Sequence, residues 1–383
     1  MQGTWWRNFD QLDKDQQKFA VLSPDGKYII SGPPGCGKTN LLLLRGKFTV
    51  RSQLHNILFI TYANCLADFI RSGIGSYFES DQVVTYWKWA RQHIRNYYPE
   101  ALPEYSALFD LEDDAEKRAG LVRLLRRTYE RLPSPILYDA ILIDEAQDLS
   151  IDEIEEIARL SPRVTIAGDR RQGVYLQNGM GVEGYTPVKI RYHYRIGLRI
   201  CEVADKLLAP PAGEPTLKDF CRYSIEPYGE AEAESFEHAT PEAQYEEVIE
   251  RLSRQLRTYR NELLGVFFTK NEFLSDFRNY LSGNQLLEQI AFHDLNESDH
   301  TFTSTKPIHA MTIHGSKGAE FRAVHIVRGE TLKFPFNHRE LIFTAVTRAK
   351  TSLSLHYTNK LSPFIKTAFA TPTTPNPDDL FDE

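Results

Sequence analysis

The sequence lacks long apolar runs, closely spaced cysteines and a basic leader segment. No run of about 18 uninterrupted apolar residues occurs, so we expect no membrane-spanning helix. Its cysteines have no CxxC spacing, which argues against zinc, an iron–sulfur cluster or a disulfide framework; they are Cys36, Cys65, Cys201 and Cys221. No apolar segment follows a basic one at the N-terminus, so we expect no secretory signal. These absences predict a protein of the reducing cytosol.

Composition and charge set only wide limits. A chain of 383 residues is long enough for two domains with buried cores. Its hydrophobic fraction of 42% and charged fraction of 25% are those of a globular protein. The net charge of −7 carries no global signature of nucleic-acid binding. A motor that holds a nucleic-acid strand in a cleft needs only local positive charge, so the negative net charge does not exclude a nucleic-acid motor.

Short apolar runs alternate with helical patterns through most of the chain, which is typical of parallel α/β sheets. The strand-like runs lie at residues 28–30, 57–60, 140–143, 164–167, 263–268, 308–312, 324–327 and 353–357. Ser150 and Glu153 form a capping-box pattern before a predicted helix at 151–160, and another helix is predicted at 196–208. We therefore predict the α/β class, with related domains over 1–188 and 189–360.

Three stretches interrupt this alternation. Residues 91–132 predict a helical insertion in the first domain, with a basic face toward its end. Residues 226–250 are rich in glutamate and predict a solvated loop that leads into a helix. The residues from 361 to 383 are rich in Thr, Pro and acid, and they predict a disordered acidic tail.

A glycine-rich loop follows the first predicted strand and precedes an apolar helix. It fits the pattern GxxxxGK followed by Ser or Thr, in which backbone N–H groups and a helix N-terminus face a phosphate. Lys38 is expected to reach the β- and γ-phosphates, and Thr39 to bind Mg²⁺. A turn that binds nothing is the alternative, and the flanking strand and helix argue against it. The candidate ATP-binding residues are Gly32, Pro33, Pro34, Gly35, Cys36, Gly37, Lys38, Thr39 and Asn40.

Two carboxylates end the apolar strand at 140–143, at the edge where open α/β sheets bind their ligands. We expect Asp144 to hold Mg²⁺ and Glu145 to polarise the attacking water. An isolated Asp-Glu after a strand is often a solvated turn. Beside a phosphate-binding loop, the pair predicts a site of ATP hydrolysis.

The segment 144–148, DEAQD, resembles motif II of the UvrD/Rep-like superfamily 1A DNA helicases, and other motifs follow in the family's order. Residues 12–16 resemble the Q motif, 61–64 motif Ia, and 84–87 the motif that follows it. Residues 168–175 resemble motif III, 193–195 motif IV, 311–321 motif V and 345–350 motif VI. The resemblance covers nearly the whole chain and implies two tandem RecA-like P-loop domains with parallel sheets.

The resemblance also implies roles at the nucleotide. Gln16 is expected to read the adenine edge, although its position also suits a capping-box partner of Asp13. Tyr194 is expected to stack on adenine, Glu320 to contact the ribose or phosphates, and Gln172 to sense the γ-phosphate. Arg195 and Arg348 are expected to act as arginine fingers, each worth on the order of 10³–10⁵ in rate. A structural ion pair is the alternative for each arginine.

Contacts to the nucleic-acid strand are implied in the same way. Aromatic faces are expected to stack on bases, which contributes about 1–3 kcal/mol per base without sequence preference. The candidates are Tyr62, Tyr86, Trp87 and Tyr175, with Asn64, Thr312 and His314 as phosphate contacts. Core packing is the alternative for any one of these aromatics, Trp87 above all.

Two departures from the family bear on activity. Leu176, Gln177 and Asn178 replace the ring and arginine that usually follow Tyr175, and no large accessory domain fits between 268 and 308. The sequence therefore predicts a compact, ATP- and Mg²⁺-dependent translocase or helicase on single-stranded or partly duplex DNA, with 3′→5′ polarity and no membrane partner. The alternative is a DNA-sensing regulatory subunit that activates a partner, such as a nuclease on another chain. A P-loop kinase is a third alternative, and the presence of motifs V and VI argues against it because a kinase would not need them.

Overall fold

The computed structural model describes residues 6–74, 77, 79–169, 179–293, 306–333, 335–336 and 338–371. The chain divides into two compact units. The first comprises Met1–Arg195, His293–Lys306 and His314–Glu320, and the second comprises Ile196–Phe292, Pro307–Ile313 and Phe321–Glu383. None of the helices in the described ranges has the length and apolar character needed to cross a membrane.

The first unit contains a parallel sheet of six strands in the order β3-β2-β4-β5-β1-β6. The strands are β1 (Lys27–Ser31), β2 (Ile57–Thr61), β3 (Val83–Thr85), β4 (Ala140–Ile143), β5 (Val164–Gly168) and β6 (Thr186–Lys189). Alternate residues of β4 belong to two different hydrophobic clusters. Ile141 and Ile143 pack in one cluster, and Ala140 and Leu142 pack in the other. Both sheet faces are therefore buried, which explains why this strand is apolar throughout.

Seven α-helices of the first unit flank this sheet in the described residues. They are α1 (Lys14–Ala20), α2 (Lys38–Arg51), α3 (Asn64–Gly73), α4 (Tyr86–Tyr97), α5 (Leu102–Ala107), α6 (Asp114–Tyr129) and α7 (Ile151–Ala158). The capping box predicted before α7 is present, because Ser150 Oγ accepts from the backbone of Glu153. No strand lies between β3 and β4, where every residue from 86 to 139 is described, so the predicted helical stretch is confirmed.

The second unit contains another sheet of six strands, in the order β7-β12-β11-β8-β10-β9. Its strands are β7 (Glu232–His238), β8 (Leu264–Phe268), β9 (Ile290–His293), β10 (Ile308–Thr312), β11 (Phe321–Ile326) and β12 (Ala349–Thr358). The pairings from β7 through to β10 are parallel. The helices are α8 (Leu198–Leu207), α9 (Pro241–Thr258), α10 (Asn271–Tyr280), α11 (Arg339–Val346) and α12 (Pro363–Phe369). Two parallel sheets with flanking helices confirm the α/β class and fit tandem RecA-like domains.

Two sequence predictions are wrong in part in the second unit, although the helix predicted to follow the loop at 226–250 is confirmed as α9. The stretch 226–250 contains the strand β7, which was hidden because an edge strand carries charged residues such as Glu232 and Glu234 on its exposed side. The predicted disordered tail contains the helix α12, which is ordered because Ile365 and Phe369 are buried. Only residues after 371 of that tail lie outside the described part of the chain.

Candidate functional site

The glycine-rich loop connects β1 directly to α2, as the sequence predicts. Gly37 has φ of 86° at the N-cap of α2, and Gly35 has φ of 73°, a backbone region that favours glycine. A Cβ on Gly32 would lie 2.8 Å from Cys36 Sγ and 2.9 Å from a backbone oxygen. The loop therefore turns tightly and leaves the N-terminus of a 14-residue helix facing its concave side.

The Lys38 side chain lies over this loop. Its Nζ donates to the carbonyl oxygens of Gly32 at 2.9 Å and Pro33 at 3.2 Å. Burial acts to lower the pKa of Lys38, but neighbouring acidic groups outweigh it and the net shift is upward, which keeps the amine charged. Those acidic groups are Cys36, Asp169, Glu145 and Asp144.

Thr39 and Asp144 meet at the carboxyl edge of the sheet. Thr39 Oγ1 donates to Asp144 Oδ2 at 2.6 Å, and Asp144 is almost completely buried. Burial, followed by the charge of Glu145, raises the pKa of Asp144 to about 7. A hydroxyl and a carboxylate oxygen at this spacing form a donor set suited to Mg²⁺.

Glu145 follows in a left-handed backbone conformation, with φ of 51°. The side-chain amide of Gln147 donates to Glu145 Oε2, while its oxygen accepts from the backbone N–H of Asp169 at 2.9 Å. Gln147 is buried, so one amide joins the DEAQD segment to the start of the predicted motif III. Sequence reasoning gave Gln147 no role, although its place within DEAQD was available as a signal.

A small pocket gathers half of the residues predicted to bind the nucleotide. Gln16 Nε2 donates to the carbonyl oxygen of Cys36 at 2.9 Å, and Gln16 Oε1 accepts from the Asp13 backbone at 3.0 Å. The capping-box interpretation of Gln16 is therefore confirmed, and the side chain also contacts the phosphate-binding loop. Its adenine-reading role stays a prediction. The Tyr194 hydroxyl donates to Asp13 Oδ2 at 2.6 Å. The pocket is lined by Arg7, Leu12, Gln16, Gly35, Cys36, Gly37, Asn40, Tyr194 and Arg195.

Arg7 belongs to this pocket, although the sequence prediction did not include it. Its guanidinium lies 5.9 Å from the Tyr194 ring centroid, and its carbonyl accepts from Asn40 Nδ2 at 3.3 Å. Burial, followed by the charge of Arg195, lowers the pKa of Arg7. No pattern around Arg7 distinguished it from other surface arginines, because its contacts are to residues far along the chain.

Arg195 forms an ion pair with Glu320 within the first unit, at 2.7 Å between Arg195 Nη1 and Glu320 Oε2. Both side chains are less than a fifth exposed. The ion-pair alternative for Arg195 is therefore present, and it joins two residues predicted to contact ATP. The predicted finger and ribose roles of this pair stay predictions.

Motif V also contributes a buried ion pair to the first unit. Lys317 Nζ lies 2.6 Å from Asp148 Oδ1, and both side chains are buried. Arg118, from the predicted basic face of the insertion, is buried too and donates to the Asp148 carbonyl at 2.7 Å. Arg118 is therefore part of the packing around motif II and is not available as a surface contact for phosphate.

Two further predicted catalytic residues, Arg348 and Gln172, and the predicted strand contact Tyr175 are not part of the arrangement described above. Arg348 is in the second unit, where it is buried and its Nε donates to the carbonyl of Thr344 at 3.2 Å. Gln172 and Tyr175 lie outside the described residues. The roles assigned to these three residues stay predictions.

The residues predicted to contact the nucleic-acid strand differ in how much of each side chain is exposed. The prediction for Tyr86 is wrong, because its ring is completely buried in the first unit's core and has no face to offer a base. Tyr62 and Trp87 are partly buried and pack against the same cluster, so the core-packing alternative holds for part of each ring. Asn64 is exposed at the start of α3, whereas Thr312 and His314 are partly buried.

One comparison with known proteins covers the stretch of the predicted motifs V and VI. A family model of the UvrD-like helicase C-terminal domain matches residues 307–356, the stretch that contains the predicted motifs V and VI. No curated protein matches the chain.

Two solved structures are similar in part. The C-terminal domain of a possible DNA helicase from Lactobacillus plantarum is 16% identical, with 45% of this chain and 91% of that chain covered and a TM-score of 0.34. The PRRSV helicase is 13% identical, with 86% of this chain and 52% of that chain covered and a TM-score of 0.43. Both TM-scores are low, so neither structure adds to the family match.

Proposed function

We propose that this chain, whose residues 307–356 match the UvrD-like helicase C-terminal domain, is an ATP-driven translocase on single-stranded DNA with helicase capability. ATP would bind at the loop 32–39 and be hydrolysed there with Mg²⁺. The 3′→5′ polarity rests on the superfamily 1A style of the motifs alone.

The observation that carries the proposal is the 2.6 Å hydrogen bond from Thr39 Oγ1 to Asp144 Oδ2. This hydrogen bond joins Thr39, the last residue of the phosphate-binding pattern, to Asp144, the first residue of DEAQD. The two residues are 105 positions apart in the sequence. Thr39 and Asp144 would hold Mg²⁺, directly or through water. When bound, Mg²⁺ neutralises charge on the phosphate oxygens.

The chain's own residues then have distinct tasks. Lys38, kept charged by its acidic neighbours, would exchange its contacts with Gly32 and Pro33 for phosphate oxygens. Glu145 would orient the attacking water and accept its proton. The amide of Gln147 fixes the direction of that carboxylate by donating to Oε2.

Three further residues would act on the phosphates. Arg195 and Arg348 would stabilise the charge that develops in the transition state, and Gln172 would sense the γ-phosphate. Tyr194 and Gln16, which line the pocket next to the loop, would contact the adenine. The candidates for the strand within the described part of the first unit remain Tyr62, Trp87, Asn64 and His314.

Substitutions at the loop and at DEAQD test the ATP site. Lys38→Ala and Glu145→Gln should abolish ATP turnover and leave the fold intact, as judged by circular dichroism and thermal unfolding. Lys47→Ala on the same helix and Glu155→Gln on α7 are the matched controls, and both should turn over ATP like the wild type. Wild-type turnover in Lys38→Ala or Glu145→Gln would remove the site assignment.

Arg348→Ala tests the finger separately. It should lower turnover by about 10³ while ATP binding is retained, because a finger acts on the transition state. Turnover reduced less than about tenfold would mean that Arg348 has only a structural role.

The second candidate function is a regulatory subunit that closes on DNA and activates a partner such as a nuclease. It is favoured by the short connection from β8 to β10, which has no room for a large accessory domain. Strand displacement by the purified chain discriminates the two functions. A helicase must displace a DNA strand in a reaction that depends on ATP. A regulatory subunit would hydrolyse ATP without displacing the strand.

A further inference from the structure

Two cysteines that are far apart in the sequence lie together in the second unit. Cys201 is buried in α8, and Cys221 is partly buried in the connection that follows this helix. Their Sγ atoms lie within 4.8 Å of each other. Both sulfur atoms also lie near the carbonyl oxygen of Ile196, at 3.6 Å from Cys201 Sγ and 3.3 Å from Cys221 Sγ.

The two thiols differ in acidity because of their mutual contact. A hydrogen bond from the Cys201 thiol stabilises the Cys221 thiolate and lowers the pKa of Cys221 to about 6. The same contact, followed by burial, raises the pKa of Cys201. At neutral pH the pair therefore holds one thiolate, on the more accessible sulfur, and one thiol behind it.

A cavity of about 390 Å³ opens beside Cys221. This volume lies in the range of sites that bind small molecules. Its wall carries side chains of both charge signs, which suits a zwitterionic compound of amino-acid type. The lining residues are Leu198, Arg199, Glu202, Cys221, Tyr223, Ile225, Glu230 and Ala231.

We propose that Cys221 and Cys201 form a dithiol switch that a low-molecular-weight disulfide of the glutathione class oxidises to an intramolecular disulfide. This site is separate from the proposed ATP site, and it does not depend on ATP hydrolysis.

The reaction proceeds in two thiol–disulfide exchanges. The Cys221 thiolate attacks one sulfur of the small disulfide, which breaks that S–S bond and releases one small thiolate. Cys201 then loses its proton and attacks Cys221 Sγ in the mixed disulfide, which releases the second small thiol. The protein, which starts as one thiolate and one thiol, loses two electrons and one proton. The small disulfide gains them and leaves as one thiolate and one thiol.

Formation of the bond requires only a local movement. The sulfur atoms must close from within 4.8 Å to about 2.05 Å. The cavity gives the small thiol room while it is attached to Cys221. Oxidation also leaves neither sulfur with a proton to donate to the carbonyl of Ile196, the residue that follows the candidate finger Arg195 in the chain.

Oxidised glutathione tests the proposal on the purified full-length chain at pH 7, with EDTA present to exclude metal. The wild type should lose two thiols, retain no glutathione and give a peptide that joins Cys201 to Cys221 in a non-reducing map. Cys221 should react about tenfold faster than an ordinary thiol, because more of it is ionised. Reduction with dithiothreitol should restore both thiols.

Serine variants separate the two steps. Cys201→Ser should retain one glutathione on Cys221, and Cys221→Ser should leave Cys201 reduced. The proposal is overturned if the native wild type reacts no faster than Cys221→Ser, or if Cys221 pairs with a different cysteine. Should a serine variant fail to fold, the peptide map of the wild type decides the question alone.

Discussion

Gln147 connects two segments of the proposed ATP site through a single buried side chain. It donates to the carboxylate of Glu145 and accepts from the backbone of Asp169, which lies in the predicted motif III that carries the γ-phosphate sensor. A glutamine can do both at once because its amide has a donor and an acceptor end. We infer that Gln147 is a positioning residue for Glu145.

Gln147→Glu tests this inference. The change removes the donor and places a second carboxylate beside Glu145, so turnover should fall by about 10- to 100-fold, the effect of losing a hydrogen bond to a charged group. Steady-state ATP hydrolysis measures it, with Gln92→Glu on the exposed side of α4 as the matched control. Turnover within about twofold of the wild type, in a folded protein, would mean that Gln147 does not position Glu145.

Among the secondary-structure elements, α12 shows how packing overrides local composition. Its own sequence, PFIKTAF, is mostly apolar, but it stands next to a Thr- and Pro-rich stretch; Ile365 and Phe369 are buried and the helix packs against α8. The Phe364 ring also lies 4.8 Å from the guanidinium of Arg339 on α11. The helix is therefore part of the second unit's core.

Two truncations test the contribution of α12. Ending the chain after Leu361 should lower the free energy of unfolding by about 3–6 kcal/mol, because two large apolar side chains lose their burial. Ending it after Thr371 removes only residues rich in Thr, Pro and acid, and it should leave the free energy of unfolding unchanged. Urea denaturation measures both. Equal stability of the two truncated chains would contradict a structural role for α12.

A row of histidines crosses three neighbouring strands of the second unit. His238 Nε2 lies 3.1 Å from His356 Nδ1, and His356 Nε2 lies 3.2 Å from His325 Nδ1. His325 Nε2 lies 2.9 Å from Gln255 Oε1. Such a chain needs neutral rings, since each shared contact pairs one N–H with one unprotonated nitrogen.

The histidine pKa values agree with neutral rings. Burial lowers the pKa of His325 to about 3 and that of His356 well below its ordinary value, and His238 shifts in the same direction. The charge of Arg251 on α9 adds to these shifts. Glu247 and Glu330 oppose the shift of His238 but do not reverse it.

The row predicts that the protein loses stability in mild acid. The unfolded chain binds protons near pH 6.5 and the folded rings do not, so the free energy of unfolding falls as pH drops below about 6.5. The loss at pH 5 should be about 2 kcal/mol for each fully buried ring. Urea unfolding at pH 7.5 and pH 5 measures it.

His356→Asn should reduce this pH dependence, whereas His55→Asn, at an exposed position, should leave it unchanged. If His356→Asn lost as much stability between the two pH values as the wild type, the row would not be the source of the effect.

For the whole molecule, the sequence predicted the two parallel sheets because strands buried on both faces are apolar without interruption, as β4 and β8 are. Strands β3 and β6 escaped prediction because the first has three residues and the second is mostly exposed. The meeting of Thr39 with Asp144 was predictable, since carboxyl ends of parallel strands share one edge. The contact between Cys201 and Cys221 was not predictable, because it depends on how the long connection after α8 folds back against that helix.

Aromatic residues show the same limit at the proposed strand site. Tyr86 and Trp87 are adjacent in the sequence, but the first is completely buried and the second partly exposed. A motif assigns both to one loop, and only the packing of α4 decides which ring is available to a base.

ATP hydrolysis by the purified chain, with and without single-stranded DNA across a salt series, tests the central claim most directly. With a net charge of −7, strand binding must come from local positive charge and should weaken as salt rises. We predict turnover that single-stranded DNA stimulates strongly at low salt and less at high salt. Turnover that is the same with and without DNA at every salt concentration would contradict a translocase.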